Sequence, residues 1–294
     1  MAELRGVITA MVTPFAADGA VDVDATRRLA RYLIDNGSHG LVVAGTTGEA
    51  PTLSDDEKLR LFDIVLDEVG DEATVIAGTG SNDTRHAAGL TGKACAVGVH
   101  GVLVVTPYYN KPNRAGLRAH FAEVSEAAGQ LPVVIYNIPS RTVINLPPDL
   151  LTELAAEHEN VVAVKQANND DLGPIEGLEI LAGNDEVFAR TLALGGSGGI
   201  LVASHVVGPA MRDIYDASTA GEAERAAEID SRLRPIYEAM TVTSNPIPVK
   251  TALELLGVID ARMRLPMVAA SESEREAVRA ALSEHGMPVA GGAR

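Results

Sequence analysis

A chain of 294 residues can hold two ordinary domains or one large α/β domain. Hydrophobic residues make up 46% of it and aromatics only 3%, so the core must be packed from Val, Ile, Leu and Ala, which suits parallel strands covered by helices. The formal net charge of −16 argues against a nucleic-acid or anionic-membrane partner, and an acidic metabolite would need a local cationic clamp.

Apolar β-rich runs alternate with amphipathic ones along the chain. Strands are predicted at 6–14, 40–45, 73–80, 101–109, 131–139, 160–167, 178–184 and 198–204. Helices are predicted between them at 23–36, 54–70, 83–98, 114–129, 147–157, 170–177 and 185–194, then at 206–236, 245–257 and 270–284. Eight strand–helix steps without a composition break predict an α/β fold, a closed (β/α)8 TIM barrel with a C-terminal helical appendage. An open doubly wound sheet would have fewer strands and a phosphate-binding glycine loop after the first, where this chain has TPFAADG; GGSGG at 195–199 precedes a strand and is discounted. The division expected is a catalytic barrel over 1–225 and a helical region over 226–294, with a mobile tail at 287–294. MAELRG lacks a signal-peptide pattern and no apolar run reaches membrane-spanning length, so a cytoplasmic protein is expected.

Polar features recur where the strands end, which is where barrel chemistry gathers. GTTGE (45–49) puts Thr46 and Thr47 in a loop able to wrap a carboxylate, or to cap the helix near Ser54. TPYYN carries Tyr108 and Tyr109, of which at most one should face a pocket because neighbours on an extended chain point opposite ways. YNIPSRT brings Tyr136, a possible proton shuttle or a packed phenol, and Arg141, a donor fork for a carboxylate or a surface ion-pair partner. VVAVKQA (161–167) holds Lys165 inside an apolar run. A buried lysine loses its proton readily and can condense with a ketone, whereas one at a strand end snorkels to solvent. Lys250, on a peripheral helix, is expected to be a solvated charge. Cys95 is the only cysteine, which excludes an intramolecular disulfide, and it is expected to be a small buried apolar group. The seven histidines show no H-x-x-x-H spacing, so a metal mechanism has little support.

These strings together resemble the 4-hydroxy-tetrahydrodipicolinate synthase (dihydrodipicolinate synthase) family, within the pyruvate-dependent class I aldolase and lyase superfamily. The likeness runs from about Gly6 to Ala270, through TAMVTPF, GTTGEAPTLSDDE, VIAGTGSN, TPYYNKP, YNIPSRT, VVAVKQA, the AGND turn, SNPIPVK and RLP at 264–266. It implies a cofactor-free lyase of lysine and diaminopimelate biosynthesis that condenses pyruvate with L-aspartate 4-semialdehyde. Lys165 would form a Schiff base with pyruvate. Thr46 and Thr47 would hold the pyruvate carboxylate, Thr47 through its backbone, with the Thr46 hydroxyl in a proton relay with Tyr136 and Tyr109. Tyr109 would reach a neighbouring subunit's site, in a homotetramer built from tight dimers. Arg141 would bind the semialdehyde carboxylate, Gly183 would sit against that substrate, and the Ile200 carbonyl would lie near the pyruvate.

The chain departs from the family pattern in three places. Gln166 stands where a glutamate often follows the lysine, removing a charge beside the site, and the stretch from Lys165 to Gly183 is short. Where lysine-inhibited members bind their effector, this chain has Ala50, Lys58 and His86; Lys58 would repel a cationic amino acid, so weak or absent lysine inhibition is expected. The same Lys165 and Tyr136 would serve an N-acetylneuraminate lyase or a 2-keto-3-deoxy sugar-acid aldolase, from which Arg141 discriminates. A non-catalytic binding barrel would not need the lysine, tyrosine and threonines to converge.

Overall fold

The computed structural model describes residues 4–289. Eight parallel strands follow one another around a closed barrel: β1 Gly6–Ala10, β2 Gly40–Val43, β3 Thr74–Gly78, β4 Gly101–Val105, β5 Val133–Asn137, β6 Val161–Gln166, β7 Glu179–Ala182 and β8 Gly198–Leu201, which pairs back onto β1. The connecting helices are α1 Val23–Asp35, α2 Asp55–Val69, α3 Thr84–Val97, α4 Arg114–Ala128, the single turn α5 Pro139–Thr142, α6 Pro148–Glu157, α7 Phe188–Ala193 and α8 Ser204–Thr219. Beyond them lie α9 Ala223–Ala239, α10 Ile247–Leu255 and α11 Glu272–Glu284. Among the described residues no helix is long and apolar enough to cross a membrane.

Each strand is apolar on both faces because both faces are covered. Ile8, Val42, Ile76, Leu103, Val134, Ala163, Leu181 and Ile200 fill the barrel interior. Their neighbours Val7, Leu41, Val75, Val102, Ile135, Val164, Ile180 and Leu201 pack outward against the helices. Between β5 and β6 the register shifts once, Val133 pairing with Val161 and Val134 with Ala163. With that shift Lys165, two residues after Ala163, shares the interior face; a slip of one residue would turn it out among the helices. The helix starts are chemically marked. Asp22, Asp83 and Asn113 cap α1, α3 and α4, and Ser54 with Glu57, and Ser271 with Glu274, close capping boxes on α2 and α11. Each cap is worth about 1 kcal/mol.

Several expectations need correction. The strands end one to four residues earlier than the apolar runs, as with 6–14 against Gly6–Ala10, because the last residues leave the ladder to build the loops of the site. No α-helix forms at 170–177. Gly173 and Pro174 interrupt it, leaving a 3-10 turn at Asn169–Asp171 and a bridge between Ile175 and Leu178. The stretch 206–236 is two helices, broken at Gly221, whose φ is +78°. Cys95 is half-buried, with its Sγ 3.6 Å from the Ala128 carbonyl. Ser54 itself caps α2, so Thr46 and Thr47 do not. The last part of the tail expected to be mobile, 290–294, lies outside the described residues.

Candidate active site

Tyr136 and Lys165 stand opposite each other in the β5–β6 pairing, both facing the barrel interior. They are 5% and 4% exposed, and the lysine Nζ lies 4.2 Å from the centre of the phenol ring. Lys165 therefore does not snorkel. Burial lowers its pKa to about 7; Asp185 pulls it back up and Arg141 pushes it further down. Roughly half of such a lysine is the free amine at neutral pH. Burial also pushes Tyr136 up to about 12, opposed by Arg141 and by a side-chain hydrogen bond with Thr46. The pair is thus a nucleophilic amine beside a phenol that keeps its proton.

The loop after β2 brings in Thr46. Its backbone folds on itself through Glu49 N to Thr46 O at 3.1 Å and Ala50 N to Gly45 O at 3.2 Å. Ala44 and Glu49, at φ +54° and +58°, turn the chain at either end of the threonine pair. Thr47 is buried, and its hydroxyl accepts from Asn245 Nδ2 at 2.9 Å.

Arg141 lies in the single turn α5 just past Tyr136; it is exposed, and its charge acts on both Lys165 and Tyr136. Among the described residues it has no carboxylate partner, which leaves its fork open to a ligand. Gly183 follows β7, where its N–H donates to the Gln166 carbonyl at 2.8 Å. A Cβ there would come within 2.7 Å of both that oxygen and Ala167 Cβ, so only glycine lets the β6 and β7 exits approach. Ile200 is fully buried on the interior face of β8. Tyr109 is not brought to this cluster within one chain. It is 87% exposed with φ +71°, and Tyr108 is also exposed.

Sequence reasoning missed three features. Asp185, inside the AGND turn quoted above, is buried and accepts from Val202 N at 2.9 Å and Ala203 N at 3.0 Å, tying the β7 exit to the β8 exit. Burial raises it to about 6 despite those donors. Lys250 is not a solvated charge. It is 0% exposed, with Nζ 2.5 Å from Glu49 Oε1. Gln166 faces away from Lys165, so the charge it lacks would not stand inside the barrel. Its Oε1 accepts from Asn137 Nδ2 and Asn168 N, both at 3.0 Å, and its Nε2 is buried without a partner. At the expected effector cleft Lys58 is buried, while His86 Nε2 meets Asp55 at 2.8 Å.

The depressed lysine sets a pH dependence. We expect kcat/KM for a ketone substrate to rise with pH through about 7 and to level off above it, as the amine loses its proton. The linked stability has a definite sign. Between about 7 and the ordinary lysine value of about 10.4 the unfolded chain binds more protons at this residue, so its contribution to stability rises with pH across that window. Comparing urea unfolding of wild type and Lys165→Met at pH 7 and pH 9 checks it; a gap that does not narrow with pH counts against the depressed lysine.

The model of the Dihydrodipicolinate synthetase family matches residues 3–285. The 4-hydroxy-tetrahydrodipicolinate synthase of Symbiobacterium thermophilum is 47% identical over 287 residues, covering 96% of this chain and 98% of that protein. The crystal structure of dihydrodipicolinate synthase from Aquifex aeolicus superposes with a TM-score of 0.94 at 38% identity, over 97% of this chain and 99% of the other. A dihydrodipicolinate synthase variant described as the first monomeric one superposes at 0.92 with 40% identity, over 96% and 97%. With sequence and fold matched over nearly its whole length, the chain belongs to the dihydrodipicolinate synthetase family.

Proposed function

We propose that this chain is a lyase condensing pyruvate with L-aspartate 4-semialdehyde to 4-hydroxy-tetrahydrodipicolinate, with Lys165 carrying pyruvate as an imine. The observation that carries the assignment of the nucleophile is a buried lysine in register with a buried tyrosine, its Nζ 4.2 Å from the centre of the phenol ring. Lys165 Nζ attacks the pyruvate ketone carbon, and the carbinolamine loses water to give the imine. Loss of a methyl proton gives an enamine, whose carbon attacks the aldehyde; the aldehyde oxygen takes up a proton and becomes a hydroxyl. The semialdehyde's own amine then adds to the imine carbon, closes the ring and releases Lys165. Tyr136 protonates the departing hydroxyl and takes protons back, with Thr46 as its hydrogen-bonded link to the rest of the relay.

Thr46 and Thr47 hold the pyruvate carboxylate, Gly183 and the Ile200 carbonyl line the bound substrates, and Arg141 takes the semialdehyde carboxylate at the mouth. A guanidinium open to solvent supports an acidic acceptor over the polyol of a sugar aldolase. The exposed Tyr109 supports a homotetramer of tight dimers in which its phenol completes a neighbour's relay, and the cytoplasm is the compartment proposed.

Borohydride reduction with pyruvate, then intact mass and peptide mapping, tests the reading; active folded protein without a pyruvyl adduct on Lys165 overturns it. Arg141→Ala should raise the semialdehyde KM about 100-fold while pyruvate is still trapped as an adduct on Lys165, because the acceptor loses its clamp whereas the lysine loses only a lesser charge that helps to hold its pKa down. An unchanged semialdehyde KM would reopen the sugar-aldolase reading.

A further inference from the structure

Lys250, in the first turn of α10, is a fully buried cation outside the site. An ammonium has three donor protons, and this one has three partners. Nζ donates to Glu49 Oε1 at 2.5 Å and to the Arg262 carbonyl at 2.6 Å, and lies 4.4 Å from the centre of the Phe15 ring. The other Glu49 oxygen accepts from Arg264 N at 3.1 Å. Glu49 is thus held from both sides by the C-terminal helical region, in the left-handed conformation that a residue with a Cβ keeps only when its surroundings dictate it. A second tether comes from the same segment. Asn245, five positions before Lys250, donates to the Thr47 hydroxyl at 2.9 Å. That bond occupies a lone pair of Thr47 and leaves its own O–H proton to be given elsewhere.

Resting on the function proposed above, we infer that Lys250 is a positioning residue for pyruvate: through Glu49, and together with Asn245 on Thr47, it sets the Thr46–Thr47 loop that cradles the substrate carboxylate. A lysine that merely fastened the appendage to the barrel would have no reason to end on the threonine loop. Here both tethers end within Thr47–Glu49, and Thr46 continues from that loop to Tyr136. The fold thereby makes the region after the barrel part of the pyruvate subsite, although among the described residues none of its side chains joins the lysine–tyrosine pair.

The full-length chain is compared with its Lys250→Met, Glu49→Gln, Lys250→Met/Glu49→Gln and Asn245→Ala variants. The pyruvate concentration that half-saturates borohydride trapping is read beside kcat, the semialdehyde KM and the thermal midpoint. In the charged variants we expect half-saturation to rise about tenfold, and in Asn245→Ala about fivefold with the thermal midpoint kept, while the semialdehyde KM stays within about threefold. The double variant should be no worse than either single one, because the two groups act through one contact. Pyruvate half-saturation within about twofold of wild type in the folded variants, or an equal loss for both substrates, overturns the inference. Should neither charged variant fold, Asn245→Ala decides alone, since it removes a tether at a partly exposed side chain. A wild-type chain that traps no pyruvate overturns the parent reading; a trapping wild type with unaltered variants overturns only this one.

Discussion

Replacing Lys165 by Met should lower kcat/KM for the condensation by about 10⁴-fold or more and abolish the borohydride-trapped adduct, while leaving the fold at least as stable as before. The activity half follows from the proposed chemistry: every step after binding runs through a covalent bond to this nitrogen, which attacks the ketone, accepts electrons as the imine and returns them as the enamine, and neither Tyr136 nor Thr46 offers a substitute nucleophile. The stability half follows from burial. Lys165 is 4% exposed, and burial holds its pKa well below the usual lysine range, so the folded chain bears a desolvation cost that a thioether of similar length does not. Activity and stability should therefore move in opposite directions. Steady-state rates, trapping by mass and a thermal melt on one preparation check both. A lysine serving only as a structural cation would give the reverse pattern, with little loss of rate and a lower midpoint. Lys165→Arg sharpens the test, because it keeps a cation but supplies no nucleophile at neutral pH.

The architecture was legible because each strand is a short apolar run closed by polar loop residues, a pattern that survives without alternation. That same lack of alternation hid the orientation of β6. In VVAVKQA nothing tells which residues face inward, and the answer depends on the register shift at Val133 and Val134 in a different strand. Lys165 and Tyr136 could still be singled out as chemical exceptions in their strands. Gln166 was placed beside the site in sequence, although its side chain belongs to the opposite face, with Asn137 and Asn168.

Lys250 departs from expectation for a related reason. Its place after the barrel suggests a peripheral helix, yet IPVKTALEL is apolar nearly all round, which signals burial on every side. Recognising that would have demanded a counter-ion. The identity of that ion was out of reach, because Glu49 is 201 residues away in the chain. Asp185 escaped for a similar reason: its partners are backbone amides at the next strand exit, which leave no trace in composition.

Tyr136→Phe should lower kcat about 10²- to 10³-fold, the scale of a lost general acid–base group, with the pyruvate adduct still trapped at long incubation. The phenol keeps its proton because burial pushes it up to about 12, so at neutral pH it is a donor ready for the hydroxyl that leaves the carbinolamine. Phenylalanine preserves the ring lying 4.2 Å from Lys165 Nζ and removes only that donor. Thr46 loses its partner as well, but it is only partly buried, so water can replace the phenol oxygen and the stability cost should stay near 1 kcal/mol. Rapid-quench trapping separates the steps: the imine should form slowly and to the same final extent. The pH profile supplies a second reading. The rise through about 7 belongs to Lys165 and should persist in the variant, displaced downward as a whole. If Tyr136→Phe instead moved that limb by a full unit without lowering the plateau, the phenol would be tuning the lysine through their stacked contact, and proton transfer would have to be assigned to another group.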